Sequence, residues 1–267
     1  MIKTSIDSES NKLVKHAKSL KIRKNRIKSN QFLIEGLRIV KEALDNNAII
    51  ESVFYNDKLH EVNGGHELLE LIEKNHDVHM LSNKVFATLS ETENSQGIIA
   101  VIKKEDFLLD DVISKENLFI LVLDRIQDPG NIGTIIRTAK AVNVDVIILT
   151  KGCVDVYNSK ALRATMGALF GLPIIQFDNN DDWINKLKQN SIKLIATALN
   201  TENLYLDTSY IGNIAIIVGN EANGIDDTIL AKSDEVVKIP MYGKIESLNV
   251  TVSAAVLLYK AIEKRFY

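Results

Sequence analysis

The segment Ile239-Pro-Met-Tyr-Gly-Lys-Ile-Glu-Ser-Leu-Asn249 decides how the C-terminal part of this chain folds. It follows a short apolar run, 236–239, and precedes a long apolar helical run, 250–262. Ser247 and Asn249 stand where that helix should begin, as helix-capping residues do. A strand, an irregular loop and a capped helix in this order are how α/β proteins present backbone N–H groups to a ligand. The segment therefore predicts a binding site.

Near-continuous apolar runs recur from residue 117 onward, and helical periods alternate with them. Such runs are typical of strands covered on both faces, and hence of a mostly parallel sheet. The predicted strands are 118–123, 146–149, 174–177, 194–198, 214–218 and 236–239, and the predicted helices are 134–142, 183–189, 226–231 and 250–262. We expect residues 117–267 to form one α/β domain, with helices on both faces of the sheet.

The N-terminal part has shorter elements and a different charge. Residues 1–105 predict a small α/β domain, and the charged stretch 106–116 is interpreted as a linker. The predicted helices are about 8–28, 38–44, 66–74 and 84–89, and the predicted strands are 32–34, 49–55, 78–81 and 97–102.

The net charge of −3 hides a basic N-terminus, since residues 1–41 contain eleven lysines and arginines and three acids. A cluster this dense attracts a phosphate backbone by counterion release. The alternative is an ordinary solvated helix face. A second basic patch follows the predicted strand 146–149. The candidate RNA contacts in the two regions are Lys12, Lys15, Arg23, Lys24, Arg26, Lys160 and Arg163.

Composition also excludes several classes of protein and site. Cys153 is the only cysteine, so a disulfide within the chain and a cysteine-based metal cage are excluded, and we expect no metal. No apolar run approaches ~18 residues, and the N-terminus lacks the apolar core of a signal peptide, so we expect a cytoplasmic protein. All five histidines lie in the first 80 residues. Chemistry in the C-terminal part would therefore proceed without an imidazole base.

Two more loops follow predicted strands, and ligands of open α/β sheets bind beyond the carboxyl ends of strands. The first, 124–133, contains Asn131 near a helix start, and Arg137 follows in that helix. The second, 219–224, has two glycines around Glu221. A dinucleotide-binding fold is a weak rival, because the glycines at 130 and 133 do not match G-x-G-x-x-G and no acid ends the next strand.

Together the three loops resemble the motifs of the SpoU (TrmH-like) RNA 2′-O-ribose methyltransferases of the SPOUT superfamily. The motifs are Asn131…Arg137-Thr-Ala, Gly219-x-Glu221-x-x-Gly224 and Ile-Pro-Met-x-Gly-x-x-x-Ser-Leu-Asn. The resemblance extends over residues 118–265. The region 32–36, Phe-Leu-Ile-Glu-Gly, is similar to the ribosomal-protein-like substrate-binding domain often attached to these enzymes.

This resemblance implies a deep trefoil knot, S-adenosylmethionine as cofactor, a homodimer, and methylation of a ribose in RNA, ribosomal RNA being favoured by the N-terminal domain. By position in the motifs, the catalytic face would comprise Asn131, Arg137, Glu221, Ser247 and Asn249. The cofactor would be held, largely through backbone groups, by Thr197, Leu199, Val218, Gly219, Glu221, Gly224, Ile239, Met241 and Leu248.

Several alternatives stay open from the sequence. One is a knotted RNA-binding module or chaperone without methyltransferase activity, and another is a different nucleotide-using α/β enzyme. The family assigns activation of the hydroxyl to Arg137, but a guanidinium with a pKa above ~12 is a poor proton acceptor. Arg137 would then clamp a phosphate, while the proton leaves to water, to phosphate or to Glu221. A housekeeping role and a role in antibiotic resistance are equally compatible with the motifs.

Overall fold

The computed structural model describes residues 5–266, and they form two compact units. The first unit contains the described residues up to Glu105 together with Asp155–Gly171. The second contains Asp106–Val154 and the chain from Leu172 onward. No helix in the described part of the chain is long and apolar enough to cross a membrane.

The first unit is built on a four-stranded sheet with the order β1-β4-β2-β3. Strand β4 runs antiparallel to both β1 and β2, whereas β3 is parallel to β2. Its strands and N-terminal helices are β1 (Gln31–Glu35), β2 (Ile50–Tyr55), β3 (Val78–Met80), β4 (Ile98–Lys103), α1 (Lys12–Ser19), α2 (Arg23–Ser29), α3 (Leu37–Asp45), α4 (Gly65–Glu73) and α5 (Asn83–Leu89). The alternation of helices and strands predicted for this region is confirmed.

One predicted helix, about 8–28, is two helices in the structure. The first ends at Ser19 and the second begins at Arg23. The guanidinium of Arg26 donates to the carbonyls of Leu20 and Lys21, both at 2.8 Å. These two carbonyls therefore have a side-chain partner in place of helical N–H groups, which stabilises the break between the helices.

Further along the chain come six strands and six helices. The strands are β5 (Phe119–Asp124), β6 (Val146–Leu149), β7 (Ile174–Gln176), β8 (Lys193–Thr197), β9 (Ile214–Gly219) and β10 (Glu235–Val237). The helices are α6 (Leu109–Ile113), α7 (Pro129–Ala141), α8 (Ser159–Thr165), α9 (Asn180–Gln189), α10 (Asp227–Lys232) and α11 (Val250–Phe266).

The six strands form one parallel sheet with the order β10-β8-β9-β5-β6-β7. Every residue of β5 and β6 is buried, as expected for central strands covered on both faces. Side chains from α9 and α10 pack on the sheet around Trp183, which is fully buried. The predicted α/β class and parallel sheet are confirmed.

Two segments differ from the predicted domain boundaries. Residues 106–116, interpreted as a linker, contain α6, and its Leu109 and Val112 lie in the core of the second unit. Charged neighbours masked this short apolar pattern. Residues 155–171, placed in the C-terminal domain, belong to the first unit, where α8 lies. Tyr157 packs on Phe32 there, with ring centroids 4.8 Å apart.

Candidate functional site

Four loops at the carboxyl ends of neighbouring parallel strands shape the candidate site of the second unit. They follow β5, β8, β9 and β10, which are adjacent in the sheet. This is the edge at which ligands of parallel α/β sheets bind. The three loops that the sequence singles out therefore share one edge of the sheet with the loop after β8.

The loop after β9 is a tight turn whose two ends are joined. Asn220 and Gly224 exchange backbone hydrogen bonds of 3.1 and 2.9 Å. Gly219 packs so closely that a Cβ atom there would lie 2.4 Å from the carbonyl carbon of Gly224. Only glycine fits at this position, because a side chain would overlap the backbone at the other end of the turn.

A cleft of about 280 Å³ lies between the loops after β8, β9 and β10. Much of its wall is apolar, and the carboxylates of Glu221 and Glu246 also line it. None of the described residues that line it is a lysine or an arginine. Such a cleft suits a ligand with an apolar ring and a positive charge.

The cleft contains every residue that was predicted to hold a cofactor. These residues are Thr197, Leu199, Val218, Gly219, Glu221, Gly224, Ile239, Met241 and Leu248. Seven further lining residues were not predicted, namely Ala198, Asn220, Ala222, Val237, Glu246, Val250 and Ser253. Most of these seven flank a predicted residue directly, so adjacency to the motifs was the signal that could have found them.

A chain of hydrogen bonds connects three of the predicted catalytic residues. Asn131 Nδ2 donates to Glu221 Oε1 at 2.6 Å, and Asn249 Nδ2 donates to Asn131 Oδ1 at 3.3 Å. Asn249 also caps α11, since its Oδ1 accepts from the Thr251 N–H at 2.8 Å. The backbone N–H of Asn131 donates to Asp128, the cap of α7. Residues at the starts of α7 and α11 thus fix Asn131, the hydrogen-bond partner of the Glu221 carboxylate.

Ser247 and Arg137 are placed differently. Ser247 lines the cleft together with Glu221. Arg137 lies on α7 outside that lining, and its side chain is exposed. No hydrogen bond or ion pair to another described residue occupies its guanidinium, which leaves its donors available to an anion.

Cys153 lies near the same strand ends but is not a candidate nucleophile. It is buried, and its thiol donates to the carbonyl of Leu123 at 3.2 Å. Burial raises the pKa of the thiol to about 11. A nucleophilic cysteine requires the thiolate, and this environment disfavours it.

The predicted RNA contacts all lie in the first unit. All of them except Arg26 are exposed. Lys12, Lys15, Arg23 and Lys24 are exposed on α1 and α2, and α8 carries the exposed Lys160 and Arg163. Arg26, in contrast, is 10% exposed and forms an ion pair of 2.6 Å with Asp155. Because its donors are used within the unit, Arg26 is a packing residue and is removed from the predicted RNA contacts.

Two family models match the chain. The model of the SpoU rRNA Methylase family matches residues 118–259. The model of the MRM3-like substrate binding domain matches residues 11–100. The first match contains the six-stranded parallel sheet and the cleft, and the second contains α1, α2 and the four-stranded sheet except the end of β4.

Relatives and solved structures match over nearly the whole length. The 23S rRNA (guanosine(2553)-2′-O)-methyltransferase RlmP of Bacillus subtilis is 36% identical over 254 residues, which are 95% of this chain and 97% of that protein. The crystal structure of an AdoMet-bound rRNA methyltransferase from Sinorhizobium meliloti has a TM-score of 0.86 at 28% identity and covers 97% of each chain. The SpoU methyltransferase AviRb from Streptomyces viridochromogenes, in complex with AdoMet, has a TM-score of 0.86 at 25% identity and covers 95% of this chain and 98% of that chain.

Proposed function

The chain belongs to the SpoU rRNA methylase family, and on that premise we propose that it methylates the 2′-hydroxyl of a ribose in ribosomal RNA, with S-adenosylmethionine as the donor. One observation carries the proposal. The residues matched to the cofactor motifs converge on one cleft, and Glu221 in that cleft accepts a hydrogen bond from Asn131, which in turn accepts one from Asn249.

The cleft fits S-adenosylmethionine. Apolar side chains such as Leu199, Ile239 and Leu248 suit the adenine ring, and the backbone of the 219–224 turn suits its polar edge. The carboxylates of Glu221 and Glu246 favour a cation. When bound, this donor supplies a methyl group activated by the positive charge of its sulfonium.

The residues around the cleft orient the acceptor. In the transfer, the methyl–sulfur bond breaks as the bond to O2′ forms, and the hydroxyl proton must leave. Alignment alone can contribute up to ~7–11 kcal/mol. We assign Arg137 to a phosphate next to the target ribose, because its exposed guanidinium is free of partners in the described part of the chain.

We assign to Glu221 the role of the base that accepts the proton of the ribose hydroxyl. Its Oε1 accepts from Asn131, and its Oε2 has no hydrogen-bond partner among the described residues. A carboxylate fixed on one oxygen presents the other to the ribose hydroxyl. A positioned base of this kind typically contributes ~10²–10⁴-fold to the rate.

The first unit is the proposed RNA-binding part. Its exposed cations on α1, α2 and α8 lie within one compact unit, because residues 155–171 belong to it. A surface of this kind binds phosphates without reading sequence. A ribosomal RNA substrate would place the protein in the cytoplasm.

We further propose that the enzyme is a homodimer that pairs through α11. Val252, Tyr259 and Phe266 recur at every second turn of this helix and are 46%, 57% and 70% exposed. An apolar stripe of this kind is typical of a surface that a second protein surface covers. The motifs also imply a trefoil knot, and we propose that the loops after β9 and β10 form it.

The function can be tested with labelled cofactor and ribosomal RNA from cells that lack the gene. We expect the purified protein to transfer label to one ribose of that RNA, and 2′-O-methyl mapping identifies the nucleotide. Binding of RNA without transfer, at saturating S-adenosylmethionine, would instead favour the RNA chaperone.

A further inference from the structure

Arg125 contacts the ends of three strands in the second unit. Its backbone N–H donates to Thr150 Oγ1 at 3.1 Å, beyond the end of β6. Its carbonyl accepts from Asn220 Nδ2 at 2.9 Å, and its Nη2 donates to the carbonyl of Gly224 at 3.3 Å. None of the three sequence motifs includes Arg125, and it does not line the cleft.

The two residues that Arg125 holds after β9 are the two ends of the turn that carries Glu221. The Asn220 side chain also organises the interior of this turn, because its Oδ1 accepts from the N–H groups of Ala222 and Asn223 at 2.9 and 3.0 Å. The backbone position of Glu221 is therefore set by the two ends, and Arg125 contacts both.

The position of Arg125 is itself fixed by its contact with the Asp124 carboxylate and by the conformation of its backbone. Asp124 is fully buried, and its Oδ2 accepts from Arg125 Nε at 3.1 Å and from the Asp226 N–H at 2.9 Å. The Asp124 Oδ1 accepts from Thr150 Oγ1 at 2.7 Å. Arg125 adopts a φ of +56°, a left-handed conformation that side chains disfavour. The surrounding contacts thus hold the backbone in a conformation that directs the Arg125 carbonyl to Asn220.

We propose that Arg125 is a positioning residue for methyl transfer, which clamps both ends of the 219–224 turn so that the Glu221 carboxylate meets Asn131. It acts through Asn220 and Gly224 and touches neither substrate. The inference rests on the proposed function, because it takes the positioning of the catalytic Glu221 carboxylate to be the role of the clamp.

The variant Arg125→Gly isolates the guanidinium. Glycine suits the positive φ and keeps the carbonyl that Asn220 needs. The buried Asp124 loses its cation but keeps its hydrogen bonds from Thr150 Oγ1 and the Asp226 N–H, so we expect the second unit to be less stable but still folded.

Lys151→Met is the matched control. Lys151 is an exposed cation at the same strand ends, and it makes no hydrogen bond to another described residue. Arg125→Lys, which keeps a charge beside Asp124, is the second variant.

Two measurements decide the proposal. We expect Arg125→Gly to speed amide hydrogen exchange in residues 220–225 of the protein alone, and to lower the single-turnover methylation rate at least tenfold at saturating RNA and S-adenosylmethionine. Lys151→Met should change neither quantity, and Arg125→Lys should recover part of the rate. Unchanged amide exchange in Arg125→Gly would contradict the proposal that Arg125 clamps the turn. A methylation rate that falls only in proportion to the loss of folded protein would contradict it as well.

A double variant tests whether the effect passes through Glu221. We expect Arg125→Gly combined with Glu221→Gln to be no slower than Glu221→Gln alone, because the clamp then has no carboxylate to position. Additive losses would contradict the proposal. If the wild-type protein transfers no methyl group to RNA, the proposed function fails, whereas the exchange measurement still decides whether Arg125 holds the turn.

Discussion

Asn131 and Glu221, which lie 90 positions apart in the chain, meet in a hydrogen bond of 2.6 Å. The donor is the side-chain amide of a residue in the first turn of α7, and the acceptor lies in the turn after β9. The contact forms because β5 and β9 are neighbours in the sheet and their carboxyl ends share one edge. The predictions below follow from this arrangement and from the first unit.

Arg137→Ala is expected to lower methylation on the order of 10²–10³-fold, because a cation that contacts charge at the reacting centre is lost. The affinity for S-adenosylmethionine should stay unchanged, since Arg137 does not line the cleft. Rapid-quench assays and isothermal titration calorimetry measure the two quantities. Loss of both activity and cofactor affinity would assign Arg137 to the structure of the site.

Gly219→Ala is expected to weaken S-adenosylmethionine binding at least tenfold. The new methyl group would meet backbone atoms of Gly224 and Ile225 at 2.4–2.6 Å, and overpacking of this kind typically costs ~1–3 kcal/mol. Gly243→Ala is the control, because a Cβ there has no heavy atom within 4 Å. Calorimetric titration should separate the two variants, and equal affinities would remove Gly219 from the site.

Lys24 and Arg26 are expected to differ although they are two positions apart. Lys24→Ala should weaken RNA binding and lower its salt dependence, with no change in melting temperature. Arg26→Ala should destabilise the first unit by about 1–3 kcal/mol, because Asp155 loses its ion-pair partner and keeps the hydrogen bond from the Tyr157 N–H. Thermal unfolding and filter binding at several salt concentrations test the pair, and a stable Arg26→Ala protein with weakened RNA binding would restore Arg26 to the RNA contacts.

Tyr259→Glu is expected to convert the proposed dimer into monomers. The substitution places a charge in the middle of the exposed stripe on α11. Leu71→Glu, at an exposed apolar position of α4, is the control and should not change the oligomeric state. Light scattering after size-exclusion chromatography gives the mass of each variant. A monomeric wild-type protein, or a Tyr259→Glu dimer, would contradict pairing through α11.

Glu35 should make the stability of the first unit depend on pH. Burial acts to raise the pKa of its carboxyl, but the Glu91 N–H at 2.8 Å and the hydroxyls of Ser90 and Thr92 outweigh that effect and lower the pKa. A lowered folded-state pKa stabilises the fold above the unfolded pKa of about 4.3, and the stabilisation is lost as the pH falls through the folded value.

The corresponding variant is Glu35→Gln. We expect a lower free energy of unfolding than in the wild type at pH 7, and a difference that shrinks below about pH 4. Glu67→Gln, at an exposed position of α4, is the control, and it should change the free energy of unfolding less than Glu35→Gln does. Chemical denaturation across this range checks the prediction, and a difference that does not depend on pH would reject the role given to the carboxylate.

Most elements of the fold could be predicted from the sequence, because strands buried on both faces leave continuous apolar runs. The six runs after residue 117 correspond to β5–β10. The short α6 and α8 were missed, since each spans one or two turns and lies among charged or polar residues. The break between α1 and α2 was missed because a contact from Arg26 decides it, not a proline or glycine.

The sequence by itself determined the class of the sheet and the order of the motifs, because burial and turn chemistry are recorded locally in residue type and period. The cofactor residues followed from the resemblance of those motifs to a known family. Only the tertiary structure decided which of these residues meet. The contact of Asn131 with Glu221, the clamp by Arg125 and the ion pair of Arg26 with Asp155 join positions far apart in the chain. Such contacts depend on which strands lie side by side and on the path of the loops, and a local pattern of residues does not contain that information.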